Sequence, residues 1–334
     1  MAQTGLPFDD LRNLFAQMPP SSDVCAAEVD ARAHGLVTQA HELGRVHEIV
    51  RFMAQWQGRS KPVITRPLVA IFAGSHGVFA QGYGGYKSTH ARTLIETLAA
   101  GGAAVNQICA ANDVGVKAFE LAIDVPTSDI RSEQGALDEA GCAATFAFGM
   151  EAIAGGTDVL ILGDVGVGSP VIAGALAHAL WGGQAREWAP RGASDDIISL
   201  IEDACARHAH ERDALELLRR LGGRELAALA GAIMAARMER IPVILDGFVS
   251  LVAAGVLAAV DQSAIAHCML ASTHDHPAHQ RAAQICGVTP FLDLRHGMED
   301  GMGGAMVIPV LRASLAAHQE MATRVQAGFS LALN

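Results

Sequence analysis

Apolar residues recur along this chain in two distinct rhythms. Between positions 43 and 56, Leu43, Val46, Ile49, Val50, Met53 and Trp56 return at helical spacing, and Gly58 stands where such a helix would end. Residues 1–60 as a whole read as helical. The rhythm then changes to short, continuous apolar runs, which is how strands buried on both faces appear in sequence. The clearest are 67–73 (PLVAIFA), 157–162 (TDVLIL) and 241–245 (IPVIL), with further candidates at 116–124, 265–271 and 289–294. Helices are expected between them, at about 90–100, 170–180, 225–237, 250–260 and 309–321, while 184–220 is polar and partly helical. Ser169 is placed to cap the helix at 170 and Pro170 to open it.

Strands alternating with glycine loops and helices predict an α/β fold, a mainly parallel sheet covered on both faces. In such sheets ligands bind outside the carboxyl ends of the strands. Four loops therefore matter: 74–85, 163–169, 246–247 and 295–304.

Composition narrows the class. The chain has 334 residues, 51% hydrophobic and 18% charged, enough for a full core without disulfide or metal staples. The formal net charge is −11 and no Lys/Arg stripe is interleaved with aromatics, which argues against nucleic acid as a partner. Cys25, Cys109, Cys142, Cys205, Cys268 and Cys286 are widely and irregularly spaced, without a CxxC pair. They read as reduced thiols in a cytoplasmic protein. The N-terminus is acidic where a signal peptide would be basic, and the apolar runs are broken before a membrane span is reached.

The loop GDVGVGSP at 163–170 carries the most chemistry. Its glycines let the backbone approach a ligand, and the following helix N-terminus favours an anion such as a phosphate. No GK[ST] follows, so it is not a nucleoside triphosphate loop. A plain tight turn is the competing reading. In RHGMEDGMGG at 295–304, Glu299 and Asp300 sit together on a glycine-rich loop, as a general base could, or as an ordinary solvated turn would. His274, Asp275, His276 and His279 in STHDHPAH could ligate a metal or could cap a helix and touch substrate. His76 has the same two readings.

Taken in order, these segments resemble the nicotinate-nucleotide:5,6-dimethylbenzimidazole phosphoribosyltransferase family. Leu43-Gly44-Arg45 is similar to the family's LGRLE, His76-Gly77-Val78 to DHGV, GGAAVN at 101–106 to GGAAIN, and the 163–169 loop to GEMGIGN. Gly222-Gly223 before Glu225 resembles GGxEIAA, and PVILDGF at 242–248 resembles PVxxDGF. Leu292-Asp293-Leu294 leads into a loop like LGEGTGA, and EMAT at 320–323 matches the family's tail. The resemblance spans about 36–327.

It implies a three-layer α/β/α domain at 61–309 and a small helical domain from 1–60 and 310–334, in a homodimer. It implies transfer of 5-phosphoribosyl from nicotinate mononucleotide to a benzimidazole-type azole, giving α-ribazole phosphate and nicotinate for cobalamin, with no cofactor and no metal. Gly166, Val167, Gly168 and Ser169 then hold the donor phosphate. His76, Tyr86, Asp164, Asp246, Gly247, His279, Gly301 and Gly303 complete the substrate site. Asp300 takes the place of the catalytic Glu, with Glu299 beside it as the alternative base.

The sequence departs from the family pattern where Ser75, Gly84 and Lys87 replace Asp, Ser and Pro, where Asp164 replaces Glu and Ser169 replaces Asn, and in 272–279, where only Pro277 and His279 fit. Two other functions are kept open on these grounds. One is a paralogue that binds a phosphorylated ligand without turnover. The other is a metal-dependent hydrolase using His274, His276 and His279.

Overall fold

The computed structural model describes Gly5 and residues 7–79 and 89–329. Four helices come first: α1 (Pro7–Gln17), α2 (Asp23–His34), α3 (Ala40–Leu43) and α4 (Arg45–Gln57). Then follow β1 (Pro67–Ala73), α5 (Thr89–Ala99), α6 (Ala104–Ala111), β2 (Gly115–Glu120), α7 (Glu139–Met150), β3 (Val159–Asp164) and α8 (Ser169–Trp181). The remainder is α9 (Ala185–Trp188), α10 (Asp195–Arg207), α11 (Ala214–Leu221), α12 (Arg224–Met238), β4 (Val243–Leu245), α13 (Gly247–Val260), β5 (Cys268–His274), α14 (His279–Cys286), β6 (Pro290–His296) and α15 (Met302–Glu320).

The six strands form one parallel sheet in the order β2-β1-β3-β4-β5-β6. Because side chains alternate along a strand, each strand feeds two cores. Ala70, Phe72, Leu160, Leu162, Val243, Leu245 and Leu270 face a core with α7, α8, α11, α12 and α13. Val69, Ile71, Val159, Ile161, Ile244 and Ala271 face the other, with α2, α4, α6 and α15. This is the three-layer α/β/α arrangement expected.

The same alternation fixes the site. It carries Gly163 to the α15 side of β3 and Asp164 to the side of α8 and α12. The order reverses around β1 and β3: from β1 the chain goes outward to β2, then returns past β1 to β3 and on to β6. That reversal is where an open parallel sheet leaves a crevice.

Several boundaries differ from expectation. Ser169 is not the N-cap of α8. Gly168 is, with φ 87°, and Ser169 is the first helical residue. The last helix starts at Met302 and runs through Pro309. The Gly303-Gly304 pair, read as loop, is helical because Gly304 must pass against Ile161 of the sheet. β2 ends at Glu120, β5 runs on to His274, and α13 starts directly at Gly247. All six cysteines are free thiols. The stretch His90–Ala111 is apolar enough and long enough to span a bilayer. It is divided between α5 and α6, which are separate helices on either side of Gly101-Gly102.

Candidate functional site

The described parts of the four expected loops, residues 74–79 of the first among them, meet at the carboxyl ends of β1, β3, β4 and β6, with the end of β5 beside them. A backbone hydrogen bond from the Asp164 amide to the Glu299 carbonyl, 2.6 Å, ties the glycine loop to the carboxylate loop. The two loops can approach because Gly163 has no side chain. A Cβ there would lie 2.5 Å from the Asp300 carbonyl carbon and 2.8 Å from the Gly301 nitrogen.

Five carboxylates converge. Asp164 is buried, and its Oδ1 accepts from the Gly166 amide at 3.1 Å and from the Ser169 hydroxyl at 3.3 Å. Burial, then the charges of Glu225 and Glu299, raise its carboxyl well above the usual range. Glu299 accepts from the Phe248 and Val249 amides at 3.1 and 3.0 Å, capping the N-terminus of α13 from another loop. Burial nevertheless pushes it up to about 7. Asp300 is enclosed, accepts from the Met302 amide at 3.2 Å, and is raised, chiefly by burial. Asp246 accepts from the Gly303 amide at 2.8 Å and faces the His296 Nε2 at 3.4 Å. Burial works against a charge on His296, but the hydrogen bond and charge of Asp246 raise it overall. Glu225, at the start of α12, pairs with His76 at 2.8 Å with both side chains fully buried.

The raised Glu299 has a consequence for stability. Its folded value lies above the ordinary 4.5, so the neutral form is favoured in the fold. Its contribution is complete below about pH 4.5 and is lost as pH rises through about 7. Urea unfolding of the wild type should therefore lose stability between those values, and Glu299→Gln should flatten that part of the profile. An unchanged slope in the variant would assign it to another group.

The site differs from expectation in what the predicted residues touch. His76 is enclosed against Glu225, so its ring supports the loop from below. Ser169 is completely buried and turns its hydroxyl to Asp164 rather than outward. Gly247 admits the Glu299 carboxylate, Gly301 passes over Val69, and Gly303 passes against Asp246 and His296. These glycines let protein groups close on one another. Gly166 and Val167 remain half-buried at the loop surface. Tyr86 lies outside the described residues.

Gly168 packs on Phe79, and its left-handed backbone disfavours any side chain. Gly168→Ala would strike the Phe79 ring and open the turn before α8. Its expected effect is about a tenfold or greater rise in donor KM, a displacement of the order that misplaced binding groups produce. A donor KM within twofold of wild type would remove this loop from donor binding.

The histidines pack as a cluster. His279, the first residue of α14, stacks on His274 at 5.5 Å between ring centroids, and His274 meets His296 at 5.3 Å. His276 stacks on Phe248 at 3.8 Å. The Nδ1 atoms of His274 and His276 each accept from a backbone amide, those of His276 and Ala278. His276 and His279 are held down to about 3, first by burial and then by His274. Among the described residues no three or more His, Cys, Asp or Glu side chains are grouped to hold a metal ion. The hydrolase reading thus lacks a ligand set.

Sequence reasoning missed Glu225 and His296 as site residues. Glu225 was read only as a helix start, although the preceding Gly222-Gly223 marked a close approach. His296 lay inside the carboxylate loop without being singled out.

A doubly covered parallel sheet with a glycine loop, a helix N-terminus and clustered carboxylates at its carboxyl edge defines an α/β protein whose site suits an anion and proton transfer. The phosphoribosyltransferase family profile matches residues 18–329. The nicotinate-nucleotide–dimethylbenzimidazole phosphoribosyltransferase of Rhizobium johnstonii is 48% identical, with 99% of each chain covered, and the protein of that name from Brucella anthropi is 46% identical with the same coverage. The crystal structure of nicotinate-nucleotide-dimethylbenzimidazole phosphoribosyltransferase from Thermus thermophilus superimposes with a TM-score of 0.83 at 26% identity, covering 92% of this chain and 99% of that one. This chain belongs to the nicotinate-nucleotide:dimethylbenzimidazole phosphoribosyltransferase family.

Proposed function

We propose that this protein transfers the 5-phosphoribosyl group of nicotinate mononucleotide to a ring nitrogen of 5,6-dimethylbenzimidazole or a related azole. The products are α-ribazole phosphate and nicotinate. The observation that carries this reading is the Asp164 amide–Glu299 carbonyl bond, because it fixes an anion-binding loop and a carboxylate loop at one place. The donor phosphate rests at Gly166–Gly168 by the start of α8, where backbone amides and the helix dipole favour it.

In the reaction the azole nitrogen forms a bond to C1′ from the face opposite nicotinate. The C1′–nicotinate bond breaks and its electron pair stays on the pyridine nitrogen, so the configuration inverts. The azole N–H proton passes to a carboxylate. Glu299 commits both oxygens to the amides of α13, whereas Asp300 commits Oδ1 to Met302. Asp300 is therefore the base, and Glu299 positions α13 and the loop. Raised carboxyl groups suit proton transfer near neutral pH. Holding donor and acceptor together supplies much of the remaining acceleration.

Azole-dependent release of nicotinate tests the reading: nicotinate should appear from nicotinate mononucleotide only when an azole is present. Failure across a panel of azoles would overturn it. The free thiols and acidic charge support a cytoplasmic setting without nucleic acid. Exposed Leu294 on β6, and Met306 and Val310 on α15, offer apolar surface for a homodimer, checked by sedimentation.

A further inference from the structure

Beneath the glycine loop lies a second polar group that the reaction does not use directly. Glu225 and His76 face each other at 2.8 Å in full burial, with Asp164 and Ser169 next to them. Burying two such polar side chains is costly, and two glycines make room for this pair. A Cβ on Gly74 would strike the Glu225 carboxylate. One on Gly223 would lie 2.5 Å from His76 Cε1 and 2.6 Å from Glu225 Oε1. The pair is also incompletely satisfied, since neither Glu225 oxygen has an aligned hydrogen bond among the described residues. A buried polar group left so is seldom kept for stability. Ser169 is the nearby hydroxyl that connects it to the loop, bonded to Asp164 at 3.3 Å and close enough to Glu225 to help hold its carboxyl down.

We propose that the Glu225–His76 pair is a positioning unit for the donor-phosphate loop, acting through Ser169 to hold Asp164 against the Gly166 amide. This rests on the phosphoribosyltransferase reading given above. The chemistry explains why such a unit is needed. The donor carries a phosphate and a carboxylate, and it must enter a site with several carboxyl groups. Asp164 is faced by Glu225 from α12 and by Glu299 from the loop after β6. Glu225 is faced by His76 from the β1 loop, with Arg224 beside it on α12. His76 lies against Glu225 at 2.8 Å, and the Glu225 carboxyl, held down overall despite its burial, opposes ionisation of Asp164. Asp164 is then harder to ionise and repels the donor less.

The test compares donor and acceptor KM for wild type, Glu225→Gln and Ser169→Ala between pH 6 and 9, with Tm measured in parallel. Removing the Glu225 charge makes Asp164 easier to ionise, although burial and Glu299 still oppose it. Glu225→Gln should therefore raise donor KM by about tenfold near pH 8 and less at pH 6, with acceptor KM within twofold. Ser169→Ala, which leaves Glu225 and His76 in place, should raise donor KM without that pH dependence. Binding of nicotinate mononucleotide by calorimetry should weaken in parallel. Unchanged donor KM in both variants overturns the inference, as does a rise in both KM values together at every pH. Wild type that neither binds the donor nor turns over would instead overturn the parent reading. Should Glu225→Gln fail to fold, Ser169→Ala decides alone: a donor KM within twofold of wild type overturns the inference.

Discussion

Asp300→Asn is expected to lower kcat by about a hundredfold or more while leaving donor KM within about threefold, the scale on which a general base contributes. Asn keeps the shape and can still accept from the Met302 amide, so the loop should stay in place. What it loses is the capacity to take the azole proton. Glu299→Gln should be milder in kcat, because Glu299 already holds the N-terminus of α13 with both oxygens. Steady-state kinetics with both substrates varied decides between them. If Glu299→Gln has the larger kcat effect, the base is Glu299.

Gly163→Ala should be nearly as damaging, and for a purely steric reason. The methyl group would press on the backbone of Asp300 and Gly301, where it would find carbonyl carbon at 2.5 Å and nitrogen at 2.8 Å. Backbone atoms cannot swing aside as a long side chain can. The carboxylate loop would have to withdraw from β3, stretching the Asp164–Glu299 bond. Overpacking of this kind costs about 1–3 kcal/mol, and a shift of about 1 Å in the base can cost on the order of a hundredfold in rate. Both should be visible, as a lower Tm and a lower kcat. A variant with wild-type kcat would show that the contact between these loops has no part in catalysis.

Much of this was legible in the sequence, and the reasons can be stated residue by residue. The strands 67–73 and 157–162 stood out because burial on both faces removes polar residues from the pattern. The glycine loop and Glu299-Asp300 were legible because close backbone approach and paired carboxylates are local features. The rest depends on distant contacts. Ser169 before Pro170 reads as an N-cap, but Gly168 supplies the left-handed turn and frees the Ser169 hydroxyl for Asp164. The start of α15 was hidden by Gly303, Gly304 and Pro309, each of which argues against a helix locally. Gly304 is demanded by Ile161, which lies far away in sequence. Glu225 looked like an ordinary first-turn acid, and only the fold brings His76 to it. The four residues His274, Asp275, His276 and His279 allowed, by spacing, either metal ligation or a helix-capping, substrate-contacting loop. The direction of the ring nitrogens of His274 and His276, set by the backbone amides of His276 and Ala278, is not a property of spacing.

Donor phosphate and the base for an azole acceptor belong to one site in this reading, and the products of the reaction report on both at once. The protein is incubated with nicotinate mononucleotide and 5,6-dimethylbenzimidazole, and the products are determined by nuclear magnetic resonance. The expected result is α-ribazole phosphate with one nicotinate released for each ribosyl group transferred. Ribose 5-phosphate in place of a ribosylated azole, a β-configured product, or an unchanged donor would contradict it.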